Sequence, residues 1–198
     1  MSLFNKLFKK TSEPKLSSKD KQINEQPVNL SLDDLFVHNF INKGGKFLYC
    51  ENANEAAEIL VNILHENDWN QVSCLHPTLK NLCNITQTTI STSNTNAPFF
   101  TNCEHLVADT GNIMLSSNQI VEMRLGELND NFIVLAQTSQ IVKNMGEGLT
   151  GIKSNCKGIL PSNICDIRNY NANNDEDNFM SYGNSNTKNL YLILVEDL

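Results

Sequence analysis

The triplet Asp109-Thr110-Gly111 sets a carboxylate, a hydroxyl and a glycine between the apolar runs Leu106-Val107-Ala108 and Ile113-Met114-Leu115. Glycine permits the positive φ that a tight turn often needs. Asp and Thr side chains can hydrogen-bond back to the local backbone. Such a turn can aim side chains at a cleft, and ordinary hairpins are built the same way. Arg124 follows in a partly apolar segment. Its guanidinium could hold an anionic ligand or pair with an acid such as Asp109. Further on, Pro161-Ser162-Asn163-Ile164-Cys165-Asp166 follows an expected strand. Open α/β sheets hold ligands at the carboxyl ends of strands, where Ser162, Asn163 and Asp166 could face a crevice. Ser162 could instead cap a short helix with Asp166 in its first turns. Asp109, Thr110, Gly111, Arg124, Ser162 and Asp166 are therefore the candidate residues for a small anionic ligand. The sequence assigns no catalytic group among them.

Other chemistries are less well supported. Cys103-Glu104-His105 could pair a thiolate with an imidazole, and strand alternation would put Cys103 and His105 on one face. A buried packing thiol is the commoner role. Gly146-Glu147-Gly148-Leu149-Thr150-Gly151 matches the spacing of a dinucleotide fingerprint, which needs a strand before it and a helix after it. The local pattern instead suggests a helix ending there. His38, His65, His76 and His105 show no metal-ligand spacing, and the six cysteines form no Cys-x-x-Cys pair. Neither a metal nor another cofactor is expected on this chain. Asp33-Asp34 sits where a helix dipole favours acids, which accounts for the pair without chemistry.

These residues need an α/β frame. Ser31 caps an expected helix with Leu32, Leu35, Phe36 and Phe40 on its apolar face, ending at Gly44-Gly45. A strand over 46–50, a helix over 52–67, a strand over 71–75 and a short helix from Pro77 to about residue 83 follow. That order suggests parallel strands. Residues 84–98 read as a polar loop or a ragged edge. Strands are then expected over 112–116, 132–137, 157–160 and 190–195. Residues 119–126 read as strand or turn, and Thr138 or Ser139 starts a helix to about 145. A polar loop spans 169–189. The fold class is α/β, a single domain with a mostly parallel central sheet flanked by helices.

The chain has 198 residues and a net charge of −7. Six lysines against three acids give residues 1–28 a charge of +3, so the remainder carries −10. An acidic body argues against nucleic acid as a partner. Residues 1–28 read as a disordered basic tail and linker, and 29–198 as the folded domain. Leu3, Phe4, Leu7 and Phe8 fall at helical spacing, but an isolated helix this short is marginal, so a frayed terminus is the simpler reading. Residues 1–10 lack the apolar core of a signal peptide. A cytoplasmic location without membrane contact is expected.

Three elements converge on a known pattern. Val107-Ala108-Asp109-Thr110-Gly111-x-Ile113-Met114-Leu115, Pro161-Ser162-x-x-x-Asp166-Ile167, and Gly183 followed by Leu190-Tyr191-Leu192-Ile193-Leu194-Val195 resemble the lactate-utilisation (LUD) domain family, which includes lactate utilisation protein C. The resemblance spans roughly residues 35–198. It implies a fold similar to the glucosamine-phosphate deaminase, ribose-phosphate isomerase and CoA-transferase superfamily. It also implies an accessory role in cytoplasmic oxidation of L-lactate to pyruvate, with separate iron–sulfur subunits as partners. The alternative it leaves is a stand-alone enzyme or sensor that binds a small phosphorylated, acyl or hydroxy-acid ligand. The chain departs from the family pattern at Asn112, Leu160, Arg168 and residues 180–184, which changes one wall of the implied cleft.

Overall fold

The structure is a computed structural model, and it describes residues 30–91, 97–156, 158, 160–170 and 187–197. The sequence readings for the 1–28 tail, most of the 169–189 loop and the 180–184 run lie outside the described residues. Residues Ser31–Leu198 form one compact unit.

Helix α1, Leu32–Asn42, starts where the Ser31 hydroxyl accepts the Asp34 N–H at 3.2 Å, and it buries Phe36, Val37 and Phe40. Strand β1, Lys46–Cys50, leads into α2, Ala53–Glu66, capped by Asn52. Strand β2, Gln71–Val72, leads into α3, Pro77–Ile85, with proline in its first turn. Strand β3 is Thr89–Ile90, β4 Phe99–Asn102, β5 His105–Val107 and β6 Asn112–Leu115. After the short helix α4, Ser117–Ile120, come β7, Asn131–Gln137, β8, Ile141–Val142, and α5, Met145–Asn155. Strand β9 is Cys165–Ile167 and β10 is Asn189–Val195.

The central sheet is parallel, in the order β1-β10-β7-β4. Beyond β4, the Ser73 N–H donates to the Pro98 carbonyl at 2.9 Å and the Ser73 carbonyl accepts from Phe100 N–H at 2.8 Å. That bridge carries the hydrogen bonding on to β2 and its parallel partner β3. Alternation along β10 sends Leu190, Leu192 and Leu194 into one core and Tyr191 and Ile193 into another. Strand β7 divides the same way, with Phe132, Val134 and Ala136 opposite Ile133. Helices α2 and α3 cover the second face through Ala56, Leu60, Ile63, Leu79 and Cys83. The first face meets α1 and a second sheet.

That second sheet, β8-β5-β6-β9, is mixed: β5 runs parallel to β8 and antiparallel to β6, and β6 is antiparallel to β9. Leu106, Ile113 and Leu115 face the main core, whereas Val107 and Met114 face α5 through Ile152. Burying a large apolar side chain contributes about 1.5–3 kcal/mol, so both sheets are fixed chiefly by this alternation.

Several sequence expectations change. Of the strand or turn expected over 119–126, the turn is what forms: α4 ends at Ile120 and a 3-10 turn covers Leu125–Glu127. Thr138 begins a 3-10 turn, not a long helix, and β8 follows it. The helix lies later, and Gly146, Gly148 and Gly151 are inside it. Glycine's poor helix propensity hides this helix in the sequence. Close packing explains the residues: a Cβ on Gly148 would lie 2.5 Å from Met114 Sδ, and one on Gly151 2.6 Å from His105 Nε2. Gly158 and Leu160 are not in a strand, and Lys157 and Ile159 lie outside the described residues. Ser162 caps no helix, since Cys165–Ile167 is a strand. Only residues 86–88 of the 84–90 stretch are loop: α3 extends to Ile85, and the two-residue β3 follows as a short edge beside β2. Strand β10 lies inside the sheet, between β1 and β7.

Candidate functional site

The six residues singled out by sequence fall into two groups at opposite ends of β6. At its start, the 109–111 turn closes the β5–β6 hairpin through Gly111 N–H donating to the Val107 carbonyl at 2.7 Å. Gly111 has φ +67, and a Cβ there would lie 2.6 Å from the Phe40 backbone nitrogen. Both conditions require glycine. Asn39 Nδ2 on α1 donates to the Ala108 carbonyl at 2.8 Å and the Asp109 carbonyl at 3.2 Å. The Asp109 N–H donates to the Lys143 carbonyl, and the buried Tyr170 hydroxyl donates to the Gly111 carbonyl at 2.7 Å. The turn is thus clamped by its backbone, with the Asp109 and Thr110 residues exposed.

Asp166 belongs to this end. Its buried carboxylate accepts from Asn112 Nδ2 at 2.7 Å and from Arg168 Nε at 3.0 Å. Asn112 Oδ1 in turn accepts from Lys43 Nζ at 2.7 Å. Burial lowers the Lys43 pKa, opposed by the Asp166 carboxylate. Burial, then the Asp166 charge, raises the Tyr170 pKa well above the ordinary phenol value. The group is a connected network, Lys43–Asn112–Asp166–Arg168.

Ser162 and Arg124 lie at the other end, where roughly 10 Å of strand separates them from the turn. The Ser162 N–H donates to Ser117 Oγ at 3.0 Å and its carbonyl accepts from Ser117 N–H at 2.9 Å. Neighbouring Asn163 donates through Nδ2 to the Met123 carbonyl at 2.8 Å. Arg124 is exposed, and its N–H donates to Glu127 Oε2.

A crevice of about 760 Å³ opens at this second end. His76, Asn102, Glu104, Asn118, Gln140 and Pro161 are among the residues that border it. A second hollow of about 490 Å³ adjoins it and shares His76, Asn102 and Gln140 as walls. Asn102 ends β4, His76 follows β2, and Gln140 follows β7. Val195 ends β10 and borders the second hollow. All these strands run parallel, so both hollows lie at the carboxyl edge of the sheet, where such folds hold ligands.

Polar atoms there lack partners. Among the described residues, His76 Nδ1 and Asn102 Oδ1 are buried without a hydrogen bond. Each such group costs about 1–3 kcal/mol relative to a paired one. Helix α3 starts between the two hollows, and the side chain of its N-cap residue, His76, makes no capping bond. Glu104 is oriented by Ser116 Oγ at 2.6 Å and Asn118 Nδ2 at 2.8 Å, both donating to Oε1. Helix α4, whose cap Ser116 and first turn supply these donors, has Val121 as its C-cap with φ 56, a strained conformation for a β-branched residue.

Cys103 and His105 both border the crevice, but strand β5 begins only at His105. Cys103 is 2% exposed, and burial pushes its thiol pKa up strongly. His105 Nδ1 lies 3.3 Å from the Gln140 carbonyl, which can only accept, so Nδ1 carries the hydrogen. The pair is therefore packed and bonded within the fold and is not poised for nucleophilic attack. Among the described residues, no three His, Cys, Asp or Glu side chains converge to hold a metal. No helix among them is long and apolar enough to cross a membrane.

The LUD domain model matches residues 84–195, more than half of the chain. The chain belongs to the LUD domain family. The match takes in both ends of β6, the crevice wall at Asn102 and strand β10. A DUF162 family protein of Deinococcus radiodurans has a similar solved structure, with a TM-score of 0.57 at 15% identity over 85% of this chain and 99% of that one. At that identity the likeness speaks for the fold alone. No curated protein matches the sequence. The sequence of this LUD domain did not single out His76, Asn102 or Glu104 as ligand residues. His76 stands before α3, Asn102 ends β4 and Glu104 precedes β5, and the fold brings them together.

Proposed function

We propose that this LUD domain is an accessory component of L-lactate oxidation to pyruvate, binding a small 2-hydroxy acid at the carboxyl edge of its parallel sheet. The observation that carries the reading is the pair of unpartnered atoms, Asn102 Oδ1 and His76 Nδ1, beside an uncapped helix start. A hydroxyl could donate to Asn102, and a carboxylate suits the first amides of α3. Small side-chain movements would bring Asn102 and His76 into contact with such a ligand. The family resemblance implies separate subunits that carry the iron–sulfur centres, and these are the partners this reading expects. Thermal unfolding with L-lactate, glycolate and pyruvate tests the binding. Saturating 2-hydroxy acid at about 100 times Kd raises stability by about 2.7 kcal/mol. No shift with any of these acids, and no iron–sulfur protein recovered with the native chain, would overturn the reading.

A second reading draws on the other end of β6. Lys43 bonds Asn112, Arg168 pairs with Asp166, and the Asp166 and Asp109 charges act on Lys43, so the exposed Arg168 is the cation a free-standing sensor or enzyme would offer a small anion. It predicts phosphate or phosphosugar binding that Arg168→Ala abolishes. Arg124 and Ser162 stand apart from that cluster, so in this reading they play no part in holding the anion.

A further inference from the structure

We infer that the hydroxy acid held in the crevice carries an apolar chain longer than the methyl group of lactate, and that the second hollow receives it. The inference rests on the proposed crevice site. The two hollows share His76, Asn102 and Gln140, so a ligand anchored at Asn102 has its remaining substituents at the mouth of the second.

The chemistry of the two hollows differs sharply. Glu104, His105, Asn118 and Gln119 border the first. Ala56, Leu79, Leu82, Ile85, Leu135 and Val195 border the second. The first turn of α3 stands at the junction, with His76 and Pro77 beside the polar hollow and Thr78 and Leu79 beside the apolar one. A carboxylate and hydroxyl at that junction direct the alkyl chain of a 2-hydroxy acid onto the Leu79–Leu82 face of the helix. Lactate would fill the polar end and leave the apolar wall wet. A volume of about 490 Å³ accommodates several methylenes.

The inference requires no reaction, only binding, so the test is an affinity series. Full-length protein is titrated calorimetrically with L-lactate, 2-hydroxybutanoate, 2-hydroxyhexanoate and 2-hydroxyoctanoate, and with hexanoate lacking the hydroxyl. Burying a methylene strengthens binding about fourfold, so 2-hydroxyhexanoate is expected to bind up to roughly 60-fold more tightly than lactate. Ile85 is 76% exposed at the outer lip, so Ile85→Glu leaves the core untouched. In that variant the ratio of the two affinities falls toward one. Leu82→Ala, which thins the wall, lowers the ratio severalfold. Lactate binding with no gain along the series overturns the inference and leaves the proposed function standing. Hexanoate binding as tightly as 2-hydroxyhexanoate overturns it too, because the hydroxyl anchor is then idle. Binding of none of the acids removes both readings together.

Discussion

The two ends of strand β6 are built on opposite plans. At its start, the 109–111 turn is closed by its own Gly111–Val107 bond and tied to three other parts of the fold: Asn39 on α1, Lys143 before α5, Tyr170 after β9. Buried Asp166 is held by Asn112 and Arg168. At the other end, Asn102 Oδ1 and His76 Nδ1 are buried without partners, α3 starts uncapped, and Val121 is held at positive φ. Polar residues that satisfy one another hold a structure together. Polar residues left wanting partners are where a water, an ion or a ligand can be taken up. A turn that identifies the family is therefore best understood as a joint between α1 and the mixed sheet, and the crevice as the surface that joint keeps in place.

The largest expected effect lies at the joint. Gly111→Ala adds a Cβ 2.6 Å from the Phe40 backbone nitrogen and 2.7 Å from the Asn39 carbonyl carbon, at φ +67. The backbone of α1 cannot yield as a flexible side chain would. Positive φ alone costs of order 1–3 kcal/mol, and the overlap adds to it, so about 3 kcal/mol or more should be lost in urea unfolding. A loss under 1 kcal/mol would show that the turn is not clamped against α1.

Asp166→Ala should come next, at about 2–3 kcal/mol. It strands Asn112 Nδ2 and leaves the half-buried Lys43 without its nearest carboxylate. Arg168, with a side chain 63% exposed, regains water at little cost. Asp166→Asn keeps an acceptor for Asn112 and should lose less. Equal losses for the two variants would mean that charge, not hydrogen bonding, holds this end.

At the crevice the sign reverses. Asn102→Leu removes an acceptor that has no partner, so stability should hold or rise by up to about 1 kcal/mol while 2-hydroxy acid binding falls. If Asn102→Leu unfolded the domain as readily as Asp166→Ala, the contrast between the two ends would collapse.

What the sequence disclosed follows the same division. The Asp109-Thr110-Gly111 turn, the apolar run at 190–195 and the Ser31 cap were legible because each is a local pattern with a local cause. The mixed sheet was not. Its strand β8 has two residues and β9 three, too short for periodicity to register. Helix α5 was masked by Gly146, Gly148 and Gly151, whose value lies in approach to Met114 and His105, residues far away in sequence. The crevice escaped for a further reason. His76, Asn102 and Gln140 come from three separate strand ends, and an unmade hydrogen bond leaves no mark in a sequence.

The smallest effect concerns the polar contact that is satisfied beside the crevice. Asp197 accepts from Thr138 Oγ1 at 2.7 Å, Ser139 N–H at 2.9 Å and Ser139 Oγ at 2.6 Å, tying the turn after β7 to the end of β10. The Ser139 hydroxyl bond, opposed by desolvation and joined by the Ser139 N–H and the Thr138 hydroxyl, holds the Asp197 carboxyl below its ordinary 3.8. A depressed folded value means the unfolded chain takes up the proton first as pH falls. The stabilisation is therefore complete above pH 3.8 and disappears as pH drops through the lower folded value. The group is exposed, so the change should be slight in unfolding and clear in the Ser139 amide resonance. In Asp197→Asn that resonance should lose its acid titration. Because Gln140 follows directly and borders both hollows, and the ligand's own carboxyl protonates in this window whichever chain binds it, 2-hydroxy acid affinity should weaken more in the native chain than in the variant. An equal loss of affinity in the native chain and in Asp197→Asn, with the Ser139 amide titrating only in the former, would separate this clasp from the crevice it adjoins.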